Sequence, residues 1–221
     1  MDDFINNNVN QKKCLDLGCG KNKKPGFIGV DKFSFPGVDF VVDFEKENLP
    51  FKDDSVESVY SSHCLEHLSD PHKLLGELIR VCTNNASFEL WLPHLRSNDA
   101  FVFDHRMFYN ELIISRISGT KTDFWFPDNL GALRLNSVVY IIDQEIESTL
   151  ESINVPLHFA IKHWFNIIKE WGLFFTIVKE PDFTGHSNYK TSMKEPKIYF
   201  TNYRDNPYSI LETPPGWWEI R

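Results

Sequence analysis

The order of elements in this sequence predicts an α/β fold. The expected form is a Rossmann-like sheet of seven strands, mostly parallel with an antiparallel last strand, and a cap inserted between strands five and six. Three observations predict it. Short apolar strands alternate with turns or helices through the first half. The first strand runs into a glycine turn, and the second ends at an acidic residue. A stretch far longer than a crossover needs precedes the last two strands.

Taken in order, Lys13–Leu17 is the first strand and residues 27–30 the second. Residues 38–42 (VDFVV) form a third, with Asp39 interrupting the apolar run, and Asp43 follows it. Residues 58–61 form a fourth, after the turn Lys52-Asp53-Asp54-Ser55. Asp70 caps the next helix with Pro71 at its first position, and Leu74, Leu75, Leu78, Ile79 and Cys82 make one apolar face. A Thr83-Asn84-Asn85 turn leads to the fifth strand, residues 87–92, ended by Pro93. Towards the carboxyl end, a helix over 157–171 is expected to stop at Gly172. Residues 173–178 and 197–202 then read as an antiparallel pair at the sheet edge, with Trp217 and Trp218 of the tail laid over the core.

At 221 residues the chain has room for one well-buried domain, 1–221. Roughly eighty residues separate Leu92 from Leu173, so residues 93–156 are read as a substrate cap within that domain. The net charge is −8 and no basic stripe is present, which disfavours nucleic acid and anionic membranes as partners. Cys14, Cys19, Cys64 and Cys82 form no CxxC pair and read as small buried thiols of a cytoplasmic protein. The amino terminus lacks a signal-peptide pattern, and no window is long and apolar enough to span a bilayer.

Chemistry concentrates in KKCLDLGCGKNKKPGFIGVD, residues 12–31. Asp16 stands two residues before the Gly18-Cys19-Gly20 turn, where a carboxylate repels a dinucleotide's pyrophosphate but suits an amino-acid ammonium. The third glycine of a dinucleotide fingerprint is replaced by Lys23. The loop therefore reads as a site for S-adenosylmethionine, and a nicotinamide-dependent reductase is disfavoured. Lys21, Lys23 and Lys24 read as a solvated turn.

LDLGCG, Asp31, the pair Asp43–Phe44, LPF at residues 49–51 and SSHCLEHL at residues 61–68 together resemble the class I S-adenosylmethionine-dependent methyltransferases. The resemblance is strong over residues 12–94. It implies that Asp16, Gly18 and Gly20 cradle the methionine part of the cofactor. Asp31 would accept from the two ribose hydroxyls, Asp43 would take the adenine amino group, and the Phe44 N–H would meet a ring nitrogen. Ser62 and His63 would line the channel beneath the sulfonium. RSNDAFVFDHRMFYNEL resembles, more loosely, a branch assigned to sugar or secondary-metabolite modification.

Methyl transfer to a small-molecule acceptor, on oxygen or nitrogen, is the expected function. His105 or His63 would be the base, with Asp104 orienting it and Arg106 holding an anionic or carbonyl group. The alternative is a catalytically silent methyltransferase-like subunit that binds cofactor and a protein partner. His63 and His67 lie four apart, but HCLEH is not HExxH and no metal is expected there. The aromatic group Phe101, Phe103, Phe108, Tyr109, Phe124, Trp125 and Phe126 reads as cap core.

Overall fold

The computed structural model describes residues 13–118, 131–179, 197–201 and 210–212. They build one sheet of nine strands in the order β3-β2-β1-β4-β5-β7-β6-β8-β9. The first five strands are β1 (Lys13–Leu17), β2 (Ile28–Asp31), β3 (Phe40–Val41), β4 (Val56–Ser62) and β5 (Cys82–Pro93), all mutually parallel. β6 (Ala132–Asp143) and β7 (Ile168–Val178) follow, with β7 antiparallel to both β5 and β6. β8 (Lys197–Thr201) runs parallel to β6, and β9 (Ile210–Glu212) pairs antiparallel with β8. The first seven strands thus make the expected Rossmann-like sheet, and two short strands extend its edge.

Helix α1 (His72–Val81) forms where the spacing predicts it, with Leu74, Leu75, Leu78 and Ile79 buried against the sheet. The Asp70 side chain accepts from the His72 N–H, satisfying an orphan donor of the first turn. Farther along, Glu77 and Arg80 grip the LPF segment. Arg80 meets both Glu77 oxygens and donates to the Leu49 and Phe51 carbonyls, while Glu77 accepts from the Leu49 N–H. That grip explains why residues 49–51 matter although they lie outside any strand or helix.

The expected Thr-Asn-Asn turn is instead a bulge inside β5. Pairing with β4 jumps from Val56↔Cys82 to Ser58↔Ser87, and Asn85 takes a positive φ of 68° within it. The short connections around the first strands carry no helix. The β1–β2 turn is built from ion pairs: Lys23 meets Asp39, and Lys24 meets Glu89 while lying 3.9 Å over the Tyr60 ring. These lysines are therefore structural, and the expectation of a purely solvated turn is corrected.

The carboxyl-terminal half departs further. The helix expected over 157–171 is only α4 (Leu157–His163), which follows α2 (Glu111–Ile117) and α3 (Gln144–Ser152). Gly172 lies within β7, directly opposite Trp91, and is no helix stop. A Cβ there would sit 2.8 Å from the Trp91 ring, so the glycine is required by packing. The two last expected strands do not pair with each other, because β6 lies between them. β6 comes from the stretch assigned to the cap, so residues 132–143 belong to the sheet. Trp217, Trp218, Phe124, Trp125 and Phe126 lie outside the described residues.

The core follows the central strands. Leu15, Leu17, Val59, Phe88, Leu90, Leu173 and Phe175 are buried with the α1 face, and Phe88 stacks on Phe175 at 5.8 Å. Among the described residues no helix is long and apolar enough to cross a membrane.

Candidate active site

The site is built at the carboxyl ends of β1, β2 and β4. Gly18 closes β1 at φ 70°, a left-handed conformation that glycine adopts freely. A Cβ there would lie 2.4 Å from the Cys64 Cβ, so both backbone and space demand glycine. Gly20 also has a positive φ, but nothing stands within 4 Å of where its Cβ would be. The turn therefore leaves open room above Gly20.

Asp31, at the end of β2, is buried and accepts from the Gly20 N–H through Oδ2 and from the Phe33 N–H through Oδ1, each at 2.8 Å. The carboxylate is thus oriented by backbone, and each oxygen keeps a lone pair for a ligand hydroxyl. Asp16 is buried as well. Burial pushes its pKa up, against the pull of the Lys24 N–H that it accepts at 2.7 Å and of the neighbouring lysines. Asp43 lies beyond β3, with Lys32 and Lys46 each at 3.2 Å. Partial desolvation opposes ionisation, but these lysines and the Glu45 N–H hold its carboxyl below the usual range.

A cavity of about 360 Å³ joins these parts. Gly18, Asp31, Asp43 and Phe44 line one side, and His63, His67, Asp104 and Arg106 line the other. Asp16, Gly20, Ser62 and His105 stand outside that wall, His105 lying behind it with its ring against that of His67 at 4.8 Å. The structure thus brings most expected residues to one cavity, and gives Asp16 the position of a strut beneath the glycine turn.

His63 follows β4 at φ 52°, a strained conformation for a side chain of this size. Its amide donates to the Trp91 carbonyl, and its ring reaches Glu66 Oε1 at 3.1 Å and Glu170 Oε2 at 2.9 Å. Burial works against a charged ring, but hydrogen bonds to Glu170 and Glu66 outweigh it and push the pKa up to about 10. His63 is therefore a cation at neutral pH.

Asp104 turns towards His67, whose Nδ1 lies 3.3 Å from both the Asp104 carbonyl and Oδ2. His105 instead donates Nδ1–H to the Ala100 carbonyl at 3.1 Å. The expected Asp104–His105 pairing is thus replaced by Asp104–His67. The Arg106 guanidinium donates to Ser69 Oγ. Tyr109 is the expected aromatic that is buried, its hydroxyl donating to the Leu65 carbonyl. Phe101, Phe103 and Phe108 are exposed, which corrects the reading of that group as cap core.

Two polar groups near the site were not singled out by sequence reasoning. Glu170 enters only through β7, whose position the sequence misplaces. Glu66 is fully buried, a rare setting for a carboxylate, and its place between two histidines was the available signal.

This fold is a Rossmann-like domain with a glycine turn and acidic strand ends facing one cavity. The family described as "Methyltransferase domain" matches residues 23–89. Ajmaline N-methyltransferase from Rauvolfia serpentina is 27% identical over 120 residues, covering 52% of this chain and 40% of that protein. This chain thus matches less than half the length of that relative. A SAM-dependent methyltransferase from Archaeoglobus fulgidus superposes with a TM-score of 0.54 at 17% identity, covering 79% of this chain and 90% of that one. The chain is thus similar over residues 23–89, under a third of its length, to a methyltransferase domain, and it shares its fold with a SAM-dependent methyltransferase; the group this likeness implies is S-adenosylmethionine.

The residues present fit that group. Asp31 offers a buried, oriented carboxylate suited to a diol, Gly20 leaves open room, and Phe44 and Asp43 line the same cavity.

Proposed function

We propose that this chain transfers a methyl group from S-adenosylmethionine to the oxygen or nitrogen of a small-molecule acceptor, a sugar or a secondary metabolite. One observation carries the reading: residues suited to the cofactor and a polar cluster suited to an acceptor share one cavity. The cofactor supplies both the electrophilic methyl group and its leaving group, so the protein's task is alignment and exclusion of water.

In this reading Asp31 holds the ribose and Asp43 with Phe44 the adenine, while the Gly18–Gly20 turn receives the methionine part. Asp16 supports that turn from beneath through the Lys24 amide. His63, already protonated and with both ring nitrogens engaged by Glu66 and Glu170, contributes positive charge beside the acceptor and is not its base. The proton lost by the acceptor then goes to His105, whose Nδ1–H is tied to Ala100 and whose Nε2 keeps its lone pair. Arg106 supplies positive charge for an anionic or carbonyl group on the acceptor.

The test is to incubate the protein with methyl-labelled S-adenosylmethionine and panels of small hydroxyl and amine compounds. Label in a small compound, reduced about 100-fold or more by His105→Ala, supports the reading. Cofactor binding with no transfer to any acceptor contradicts it and favours the silent, partner-binding subunit.

A further inference from the structure

Glu66, His67 and His105 converge beside the acceptor side of the cavity. One candidate ligand atom from each lies within 4.8 Å of the other two. Zinc holds nitrogen and oxygen ligands at about 2.0–2.1 Å, so two ligands can stand no more than about 4.2 Å apart across the ion. The present spread is somewhat wider than that, so binding would draw the three atoms together.

Three independent features prepare this cluster. Glu66 is fully buried, and although Oε1 meets His63, Oε2 has no hydrogen-bond partner among the described residues. An orphaned buried carboxylate oxygen is costly unless something occupies it. The two imidazoles are oriented alike: His67 through Nδ1 to the Asp104 carbonyl, and His105 through Nδ1 to the Ala100 carbonyl. Tying Nδ1–H to a carbonyl fixes the tautomer that presents Nε2, as second-shell partners do for metal-bound histidines. The backbone also joins the two segments. The Arg106 and Met107 amides both donate to the Glu66 carbonyl, at 2.7 and 3.0 Å, and the His67 and His105 rings meet edge-on at 4.8 Å.

We infer that Glu66, His67 and His105 form a binding site for a divalent transition-metal cation of the zinc type. Two histidines and one carboxylate leave positions open on the ion, as in catalytic sites. On the methyl-transfer reading above, those positions would take an oxygen of the acceptor. The ion would then perform the activation assigned to His105, whose lone pair it would use. His63 takes no part: its ring is engaged by Glu170 and by the other Glu66 oxygen.

The experiment titrates Zn²⁺ into tag-free, chelator-treated protein by calorimetry, and Co²⁺ by visible absorption. Wild type is compared with His67→Ala, His105→Ala and the control His158→Ala. The account expects one equivalent bound, a Co²⁺ ligand-field spectrum, and affinity at least roughly 100-fold weaker in each ligand variant but unchanged in the control. His105 is only half-buried, so its variant tests the site even if changes nearer the core disturb folding. Absence of saturable binding, or binding that survives both ligand substitutions, overturns the inference. S-adenosylhomocysteine titrated into the same samples separates the two readings. Its failure to bind would sink methyl transfer while zinc binding would still uphold the metal site.

Discussion

Single residues here act through the backbone they orient. Gly18 is the sharpest case, because φ 70° and the Cys64 contact both exclude a side chain. Gly18→Ala should cost about 2–4 kcal/mol of stability in urea titrations and abolish cofactor binding. Gly20→Ala carries the φ penalty alone, of order 1 kcal/mol, and should fold. Behind the site, His94 accepts from the Arg96 amide at Nδ1, so its Nε2–H faces Glu111, which also accepts from the Tyr140 hydroxyl. Desolvation opposes ionisation of Glu111, but those partners bring its pKa down from 4.5 to about 2. The group therefore stabilises the fold above the unfolded value of 4.5, and that contribution is lost as pH falls towards about 2. Stability curves between pH 5 and 2 should show an acid-side loss of order 1–3 kcal/mol in wild type that Glu111→Gln lacks. Parallel curves for the two proteins would contradict this.

At the scale of elements, two contacts decide how segments are placed. Arg80 and Glu77 on α1 hold residues 49–51 through charge-assisted hydrogen bonds. Arg80→Ala removes the guanidinium from Glu77, which keeps only the Leu49 N–H, and from two carbonyls, and should cost about 1–3 kcal/mol in denaturant titrations. β7 sits between β5 and β6 because Gly172 lets the Trp91 ring lie across it. Gly172→Ala should destabilise by about 1–3 kcal/mol, and adding Trp91→Leu should recover part of that loss, visible as non-additivity in a double-mutant cycle. The same glycine shows why the sequence misleads after residue 156. Following the helical residues Leu157–His163, Gly172 resembles a helix stop, and only the partner strand reveals its purpose. β6 was hidden likewise. Ala132–Asp143 reads as a strand only once its two neighbours are known, and those lie in distant sequence. By contrast β1, β2, β4 and α1 were legible, because local periodicity and capping suffice to define them.

For the whole molecule, the sheet order collects residues from β1, β2, β4 and the segment after β5 at one edge, and the cavity follows from that. The residues proposed to hold the cofactor were legible as a set because Asp16, Gly18, Gly20 and Asp31 sit in one short stretch with a recognisable loop. The acceptor half was legible only as a set of residue types. Their pairings depend on the 102–107 segment folding back on Glu66, which no local pattern encodes. That is why Asp104 was matched to His105 when it faces His67. The central claim is that the loop and Asp31 hold S-adenosylmethionine. Titration calorimetry with S-adenosylhomocysteine on wild type and Asp31→Ala tests it most directly. The account predicts micromolar binding at one equivalent that the variant loses. No binding to folded wild type, or equal binding to both proteins, would contradict it.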